Sequence, residues 1–403
     1  MKWARYMAAV LCLSALVLTS GCQSPSALLA QRSHYMVGYT DSRCDDPRGQ
    51  YYNGLTRRAM VVRADGSERR EAGQSLITRA YQAAAITGWW PDGRAILYVG
   101  YKSPEVGAWE KEHKTFANST DGQESDCFLV DIETSQAVNL TAVDRVSPVN
   151  LGLAPWPADP SRATFLASVD GKRRPFTMKL DGTDKRQVSS SSDNFIYGLS
   201  PSPDGRRSAY IINYKLYLAN ADGTNARRVD EDPKHEFQFI PIWSPDSQWL
   251  MFLAGEHYNC HPHLVRAGGT GLRKLAHRGG YRGVIQTLDY PDFHSDSSDL
   301  PVWSPDSRWV YHTAKVGEAV ELMRVSLEGE VQQLTRSKPG VLNYQPKTSP
   351  DGKLVVFGST RDGARALYVA NADGRAVRAI TLPVKGRSQM HPHWRPQPHT
   401  HYS

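Results

Sequence analysis

The stretch IPIWSPDSQWLMFL, residues 240–253, returns with few changes as LPVWSPDSRWVYHT at residues 300–313. Both copies place a Pro two residues before a Trp and follow the Trp with Ser-Pro-Asp. In such a turn, Pro fixes φ at the second position and Asp hydrogen-bonds back to the backbone, so the chain reverses direction. The residues after the turn are rich in β-forming types and predict a strand. Each copy therefore predicts a strand, a tight turn and a returning strand.

Weaker copies of the phrase occur along the whole chain. They are ITGWWPDG, LAPWPADP, LSPSPDG, QPKTSPDG and HPHWRPQPH, and most copies lie roughly 45 residues apart. A second hairpin such as LYVANADGRAVRAIT, residues 367–381, follows most of them, so one unit comprises four short strands. At Ser247 and Ser307 a Ser replaces the Gly of the turn. There we expect the turn to depend less on the left-handed backbone that Gly favours.

Units of four strands at this spacing predict an all-β fold, a β-propeller. A four-stranded sheet cannot bury both faces alone, so the blades stack around an axis and share their apolar faces. Six units are complete, while HPHWRPQPH at the C-terminus lacks the strands that HYMVGYT and AMVVRADG supply near the N-terminus. Joining these ends gives seven blades and leaves no open edge in the ring. Six blades with irregular ends is the alternative.

Ten residues of the repeat are assigned structural roles. We expect the Trp to wedge between blades and the Asp to close the turn. We expect the Pro before the Trp to lie at the start of the innermost strand, where its missing N–H is tolerated. These residues are Pro241, Trp243, Asp246, Pro301, Trp303, Asp306, Pro346, Asp351, Pro392 and Trp394.

The first residues of the chain indicate export. Two basic residues precede an apolar run from Met7 to Leu18, which predicts a secretory signal peptide. The sequence TSGC at its end resembles a bacterial lipobox, and this resemblance implies acylation of Cys22 and anchoring at the periplasmic side of the envelope, in the outer membrane. Cleavage and secretion without lipid is the alternative. The predicted organisation is a signal peptide at 1–21, a tether at 22–33 and a single propeller at 34–403.

The cysteines and the net charge exclude few disulfide pairings and few classes of partner. A Cys44–Cys127 disulfide is preferred over pairings with Cys260 because both residues lie in the first part of the mature chain, but three reduced thiols are equally compatible. The formal charge of +7 is spread as basic pairs near turns. No basic block is interleaved with aromatic residues, so nucleic acid is not expected as a partner. At most, the charge favours acidic glycans or lipid headgroups.

The repeat WSPD followed by LYVANADGRAVRAIT resembles that of TolB and TolB-like propellers, over nearly all of the chain from about Tyr35. The resemblance implies the fold and leaves the function open, because one fold hosts many activities. TolB carries an α/β domain before its propeller, whereas here strands begin soon after the signal. Propellers also cap prolyl-oligopeptidase-type peptidases. The sequence contains no G-x-S-x-G elbow, so we expect no peptidase.

A second resemblance concerns MFLAGEHYNCHPHLVRAGGTGLRKL, residues 251–275, which is similar to oligogalacturonate lyases. In those propellers, a His base and a manganese ion held by His and Gln act on a uronate. They present a His ligand three residues before the Trp. In successive units of this chain that position is occupied by Leu300, Gln345 and His391. Gln389, His391 and His393 offer similar atoms at another spacing, so no catalytic role is carried over.

Two stretches combine side chains that suit a site at the mouth of a propeller channel. In GEHYNCHPH, a His-x-His in a strand points both rings to one face, which suits a transition metal. The insertion containing DFHSDSSD offers oxygen ligands without the spacing of an EF-hand loop. Both stretches can instead be structural, as packed histidines and a solvated acidic loop. The candidate ligand-binding residues are His257, His261, His263, His294, Gln345, His391 and His393, and the candidate metal ligands among them are His261, His263 and His391.

Two interpretations follow. The leading one is a non-catalytic propeller of the bacterial envelope, attached to the membrane by its lipid alone, that binds a protein or a glycan through one face without a cofactor. The competing one is a polysaccharide lyase that acts on acidic glycans with one divalent metal, such as manganese, zinc or calcium.

Overall fold

Seven four-stranded antiparallel sheets surround a central axis, so the seven-blade prediction is confirmed and the six-blade alternative is wrong. The structure is a computed structural model that describes residues 34–44, 54–113, 122–141, 153–156, 159, 161–169, 172–187, 196–230, 232–256, 259–283 and 299–397. The predicted signal peptide, the tether and Cys22 lie outside the described residues. None of the described helices has the length and apolar character needed to cross a membrane.

Blades 1 to 3 follow three N-terminal strands that belong to the closing blade. Those three are β1 (Met36–Arg43), β2 (Arg58–Arg63) and β3 (Arg70–Glu71). Blade 1 contains β4 (Gln82–Trp89), β5 (Ala95–Lys102), β6 (Gln123–Val130) and β7 (Ala137–Asn139). Blade 2 contains β8 (Ala154–Pro155), β9 (Arg162–Val169), β10 (Lys172–Lys179) and β11 (Arg186–Gln187). Blade 3 contains β12 (Ile196–Pro201), β13 (Arg207–Ile212), β14 (Lys215–Asn220) and β15 (Arg227–Arg228).

Blades 4 to 6 repeat the pattern. Blade 4 contains β16 (Phe237–Trp243), β17 (Trp249–Glu256), β18 (Asn259–Arg266) and β19 (Arg273–Lys274). Blade 5 contains β20 (Val302–Trp303), β21 (Trp309–Val316), β22 (Ala319–Ser326) and β23 (Val331–Gln333). Blade 6 contains β24 (Asn343–Thr348), β25 (Leu354–Ser359), β26 (Ala366–Asn371) and β27 (Arg378–Ala379).

The ring closes in blade 7, which joins both ends of the chain. Its innermost strand is β28 (Arg387–Trp394), which pairs with β1 and so places a C-terminal strand beside three N-terminal ones. This arrangement is the one that the incomplete terminal repeats predict. The described residues also form one α-helix, α1 (Pro104–His113), and two short 3-10 helices at Gly54–Thr56 and Gln74–Leu76.

Strand direction defines two faces of the ring. Each innermost strand begins at one face, here named the front face, and ends at the opposite back face, where blades 3 to 6 carry the Ser-Pro-Asp turns. Because neighbouring strands are antiparallel, the connection from the second to the third strand of a blade also lies at the front face, as does the connection into the next blade. Helix α1, the end of β17 and the start of β18 therefore lie at the front face.

Apolar layers fill the spaces between neighbouring blades. Between blades 6 and 7, Val37 and Tyr39 of β1 pack against Val356 and Leu367, and all four are fully buried. Such layers arise because each blade shares its apolar faces with its two neighbours. The closing blade is therefore held by side-chain packing as well as by the β1–β28 ladder.

In blades 1, 4, 5 and 7 the repeated Trp links its blade to the one before it through the indole nitrogen. Trp303 Nε1 donates to the Ile242 carbonyl at 3.2 Å, and Trp394 Nε1 donates to the Lys347 carbonyl at 2.8 Å. Both acceptors lie on the innermost strand of the preceding blade. In blade 6 a Thr replaces the Trp, and the Thr348 hydroxyl donates to the Trp303 carbonyl at 2.8 Å. The expected wedge is therefore also a hydrogen-bonded link.

The turns that carry Ser in place of Gly correct an expectation from the sequence. Ser247 and Ser307 have φ values of 59° and 60°, so both keep the left-handed backbone. Each Ser hydroxyl accepts a hydrogen bond from a turn N–H of the preceding blade, from Asp204 to Ser247 and from Asp246 to Ser307, both at 3.0 Å. The expectation that these turns rely less on the left-handed conformation was wrong. Here Ser adds a contact between blades that Gly cannot make.

The structure also corrects the predicted pairing of the cysteines. Cys44, Cys127 and Cys260 are all buried thiols, so the preferred Cys44–Cys127 disulfide is not formed and the reduced alternative holds. Cys127 is fully buried in the apolar layer between blades 1 and 2. Burial raises the pKa of its thiol to about 12, which keeps it protonated and unreactive.

Candidate binding site in the central channel

A β-bulge near the front end of the innermost strand shapes the channel in blades 6 and 7. Two residues of that strand oppose one residue of the next, namely Gln345 with Pro346 in blade 6 and His391 with Pro392 in blade 7. The first bulge residue is left-handed, with φ 52° at Gln345 and 55° at His391. Pro is tolerated in second place because a bulge residue needs no ladder hydrogen bond. These prolines therefore lie inside the bulge and not at the strand start that the sequence suggested.

Matching positions of the innermost strands form two levels around the axis. Five residues before the turn Pro, blades 3 to 7 carry Gly198, Ile240, Leu300, Gln345 and His391. Three residues before it, they carry Ser200, Ile242, Val302, Lys347 and His393. All of these except Gln345 keep part of their surface exposed. The channel is therefore asymmetric, since blades 4 and 5 contribute aliphatic side chains where blades 6 and 7 contribute polar ones.

Gln345 and His391 meet across the boundary between blades 6 and 7. Gln345 Oε1 accepts the His391 backbone N–H at 2.6 Å, and Gln345 Nε2 lies 3.1 Å from His391 Nδ1. An amide nitrogen can only donate, so His391 Nδ1 accepts and the ring proton lies on Nε2. Burial, followed by the charges of Arg57 and Lys347, lowers the pKa of His391 to about 4. At neutral pH this imidazole is uncharged, with an N–H left to donate.

Lys347 and His393 occupy the second level of the same two blades. Among the described residues, the Lys347 ammonium has no hydrogen-bond or ion-pair partner, and burial lowers its pKa while the charge of Asp299 opposes that shift. Burial also lowers the pKa of His393 well below its ordinary value, with Lys347 and His391 adding to the effect. The polar side of the channel thus combines one cation with two neutral imidazoles.

Asp299 holds the backbone of this polar side in place. Its Oδ1 accepts the Gln345 backbone N–H at 2.7 Å and its Oδ2 accepts the Thr313 hydroxyl at 2.8 Å. Burial raises the pKa of Asp299, and the nearby Arg278 works against this shift. From the sequence, Asp299 ends an acidic insertion that is interpreted either as a source of oxygen ligands or as a solvated loop. The structure instead gives it a positioning role, because it fixes the bulge residue that holds His391.

The histidines predicted in blade 4 lie in a separate cluster on β18. His261 Nδ1 accepts the Arg278 backbone N–H at 3.2 Å, while His263 Nδ1 lies 2.9 Å from the His261 carbonyl. The His263 ring contacts that of His235, with centroids 4.5 Å apart. Burial lowers the pKa of both His261 and His263 to about 4. Their ring atoms are used mainly in packing and hydrogen bonds within the blade.

The structure therefore brings together some of the candidate residues and separates others. Gln345, His391 and His393 share the channel, whereas His261 and His263 lie on another blade. His257 and His294 lie outside the described residues. Within the described part of the chain, no three His, Cys, Asp or Glu side chains are grouped so that they could hold a metal ion.

Sequence reasoning missed Lys347, although a signal for it was present. Lys347 stands three residues before its turn Pro, the same position as His393 in the next unit, and a strict alignment on that Pro puts them side by side. Chemically, an unpaired ammonium next to two uncharged imidazoles suits a ligand that brings hydrogen-bond acceptors or negative charge. The aliphatic wall of blades 4 and 5 suits an apolar part of the same ligand.

Comparison with curated proteins gives a weak match. No protein-family model matches this chain. An oligogalacturonide lyase from Pectobacterium atrosepticum is 24% identical over 172 residues, which is 40% of this chain. The match spans 43% of that lyase, less than half of its length.

Comparison with solved structures identifies propellers. An oligogalacturonate lyase in complex with manganese aligns over 80% of this chain and 81% of its own, with a TM-score of 0.54 and 14% identity. A puromycin hydrolase aligns over 90% of this chain and 56% of its own, with a TM-score of 0.56 and 17% identity. TolB from Acinetobacter baumannii aligns over 91% of this chain and 68% of its own, with a TM-score of 0.49 and 14% identity. At these identities the first two likenesses show the fold alone.

Proposed function

We propose that this chain is a non-catalytic binding propeller of the bacterial envelope, acylated at Cys22 and held at the periplasmic side of the outer membrane. Its ligand is an envelope protein or a glycan, bound at the front mouth of the channel beside blades 5 to 7. The signal and the lipobox-like TSGC support the location. The channel residues support the binding role.

The Lys347 ammonium is the observation that carries this proposal. Lys347 keeps part of its surface exposed, yet partial burial lowers the pKa of its ammonium, so a ligand that brings acceptors or negative charge would stabilise the charged form. Among the described residues no side chain hydrogen-bonds or ion-pairs with this ammonium, only the charge of Asp299 acts in its favour, and two neutral imidazoles stand beside it. Ionisable groups with perturbed pKa values in a cleft are concentrated at functional sites. A role in ligand binding therefore explains the unpaired Lys347 ammonium better than a role in stabilising the fold.

The lyase alternative requires a metal, and the channel residues do not fit one. His391 and His393 are neutral and chemically suitable ligands. However, the Gln345 amide is already engaged with His391, and Gln389 donates away from the channel to the Leu382 carbonyl. The Lys347 ammonium, which acts on both imidazoles, would also repel a divalent cation. No catalytic step is therefore assigned to these residues.

The proposal is tested by capture from the envelope. The chain from residue 23 onward is immobilised and exposed to detergent-solubilised envelope proteins and, separately, to an array of acidic glycans. We expect a ligand that is retained by the unmodified chain and by Lys353→Met but lost with Lys347→Met. Lys353 is the matched control because it lies in the back-face turn of the same blade, with 60% of its side chain exposed. Capture that is unchanged by Lys347→Met would overturn the proposal.

A further inference from the structure

A cavity lies between blade 7 and the connection that enters it from blade 6. It has a volume of about 290 Å³ and is lined by Asp41, Arg69, Leu382, Val384, Arg387 and Gln389. We name it the closure cleft, because its lining comes from both ends of the chain. Gln389 accepts the Thr381 hydroxyl and donates to the Leu382 carbonyl, so its side chain belongs to this cleft and not to the channel.

The charged side of the closure cleft has an excess of positive charge. Asp41 is 1% exposed, and its carboxylate accepts from Arg387 Nε at 3.0 Å and from Arg69 Nη2 at 2.8 Å. Arg69 Nε also donates to the Tyr39 hydroxyl at 2.7 Å. Two guanidinium groups therefore share one carboxylate. Each guanidinium has five N–H groups, so donors remain on both after these bonds are made.

The other side of the closure cleft is apolar and unusually open. Leu382 is 72% exposed and Val384 is 46% exposed, and Leu382 is the most exposed large hydrophobic residue in the described part of the chain. Isolated exposed apolar residues are ordinary on a surface. Here, however, two of them line one cavity beside two arginines that retain unused donors.

We propose that the closure cleft binds an aliphatic carboxylate, with the alkyl chain against Leu382 and Val384 and the carboxylate on Arg69 and Arg387. The charge excess selects an anion, and Arg offers the planar fork that matches a carboxylate. The volume lies at the small end of the range of ~300–1,000 Å³ usual for ligand pockets, which favours a chain of medium length. This site is independent of the channel site and of the function proposed for it.

Titration calorimetry with sodium octanoate tests the site. Because burial of one methylene contributes about 0.8 kcal/mol, each methylene should change Kd about fourfold, so hexanoate should bind about 15-fold more weakly than octanoate. The neutral 1-octanol should not bind measurably. No heat with octanoate at millimolar concentration would overturn the proposal. Equal affinity for 1-octanol would overturn the role of the arginines.

Two variants test whether octanoate binds in the closure cleft. Leu382→Ser should weaken octanoate binding about tenfold or more without affecting the fold, because this side chain makes little contact in the folded protein. Val331→Ser is the matched control, since Val331 is 53% exposed on the outer strand of blade 5, and it should bind octanoate as the unmodified chain does. Arg69→Gln should bind octanoate more weakly, because it removes one of the two guanidinium groups beside Asp41. Octanoate binding that survives both Leu382→Ser and Arg69→Gln would place the site elsewhere and contradict the proposal.

Discussion

Trp394 Nε1 donates a 2.8 Å hydrogen bond to the carbonyl oxygen of Lys347, so the residue with the unpaired channel ammonium is held by the strand that closes the ring. A second link runs in parallel, since Asp299 fixes the Gln345 backbone and Gln345 in turn holds His391. The candidate site is therefore built on the closure of the propeller. Its geometry depends on contacts between residues far apart in the sequence.

Trp394→Phe tests the link between the closing strand and blade 6. The variant keeps an aromatic ring in the layer but leaves the Lys347 carbonyl without its donor, which should cost about 1–3 kcal/mol of unfolding free energy. Urea denaturation measures the change. Trp109→Phe is the control, since Trp109 lies on helix α1 and is 41% exposed, and it should stay within about 0.5 kcal/mol of the unmodified chain. Equal stabilities for the two variants would contradict the link.

Ser247 separates the backbone requirement of the turn from its side-chain contact. Ser247→Ala removes the acceptor of the Asp204 N–H and keeps a side chain on a left-handed backbone, so it should lower the unfolding free energy by about 1–2 kcal/mol. Ser247→Gly also loses the acceptor but relieves the backbone strain. It should therefore be the milder change in the same denaturation experiment. A Gly variant less stable than the Ala variant would show that the account of this turn is wrong.

Gly358 predicts a strong steric effect within blade 6. A Cβ added there would lie 2.0 Å from the Tyr344 ring, whose hydroxyl donates to the Gln389 carbonyl at 2.9 Å. Because Tyr344 is fully buried, it has little room to shift, and Gly358→Ala should cost about 3 kcal/mol or more. Gly107→Ala is the matched control, as no atom lies within 4 Å of its added Cβ. In helix α1 it should be neutral or stabilising by up to about 1 kcal/mol, and thermal denaturation that ranks the two variants the other way round would refute this packing.

Lowering the pH below about 6.5 should already destabilise the protein, at pH values where carboxylates of ordinary pKa are still ionised. Burial lowers the pKa of four histidines to about 4, namely His261, His263, His312 and His391. Below about pH 6.5 the unfolded chain protonates these imidazoles while the folded chain does not, so stability falls as the pH decreases from 6.5 towards 4. Urea denaturation at pH 7.5, 6 and 5 should show a steady loss, with more than one proton taken up on unfolding. Equal stability at pH 7.5 and 5 would mean that these histidines are not buried as described.

The repeat made the fold predictable, because the Ser-Pro-Asp turns and the paired hairpins are local features with a fixed chemical meaning. The incomplete units at the two ends were enough to predict the closing blade. What could not be read from the sequence lies between blades. The hydroxyl of Ser247 contacts the Asp204 turn, and Asp299 reaches Gln345, across 43 and 46 positions of the chain. Lys347 has no motif of its own; alignment on the turn Pro matches it with His393, but the state of its ammonium is visible only in the structure.

The most direct test of the central claim is photo-crosslinking in intact cells. A photoreactive phenylalanine analogue is placed at Val302, on the innermost strand of blade 5 beside the channel, or at Val331, on the outermost strand of the same blade. The account predicts a defined adduct from position 302 that disappears when Lys347→Met is added, and none from position 331. An adduct from position 331 alone, or one from position 302 that persists without the lysine, would contradict a ligand site in the channel.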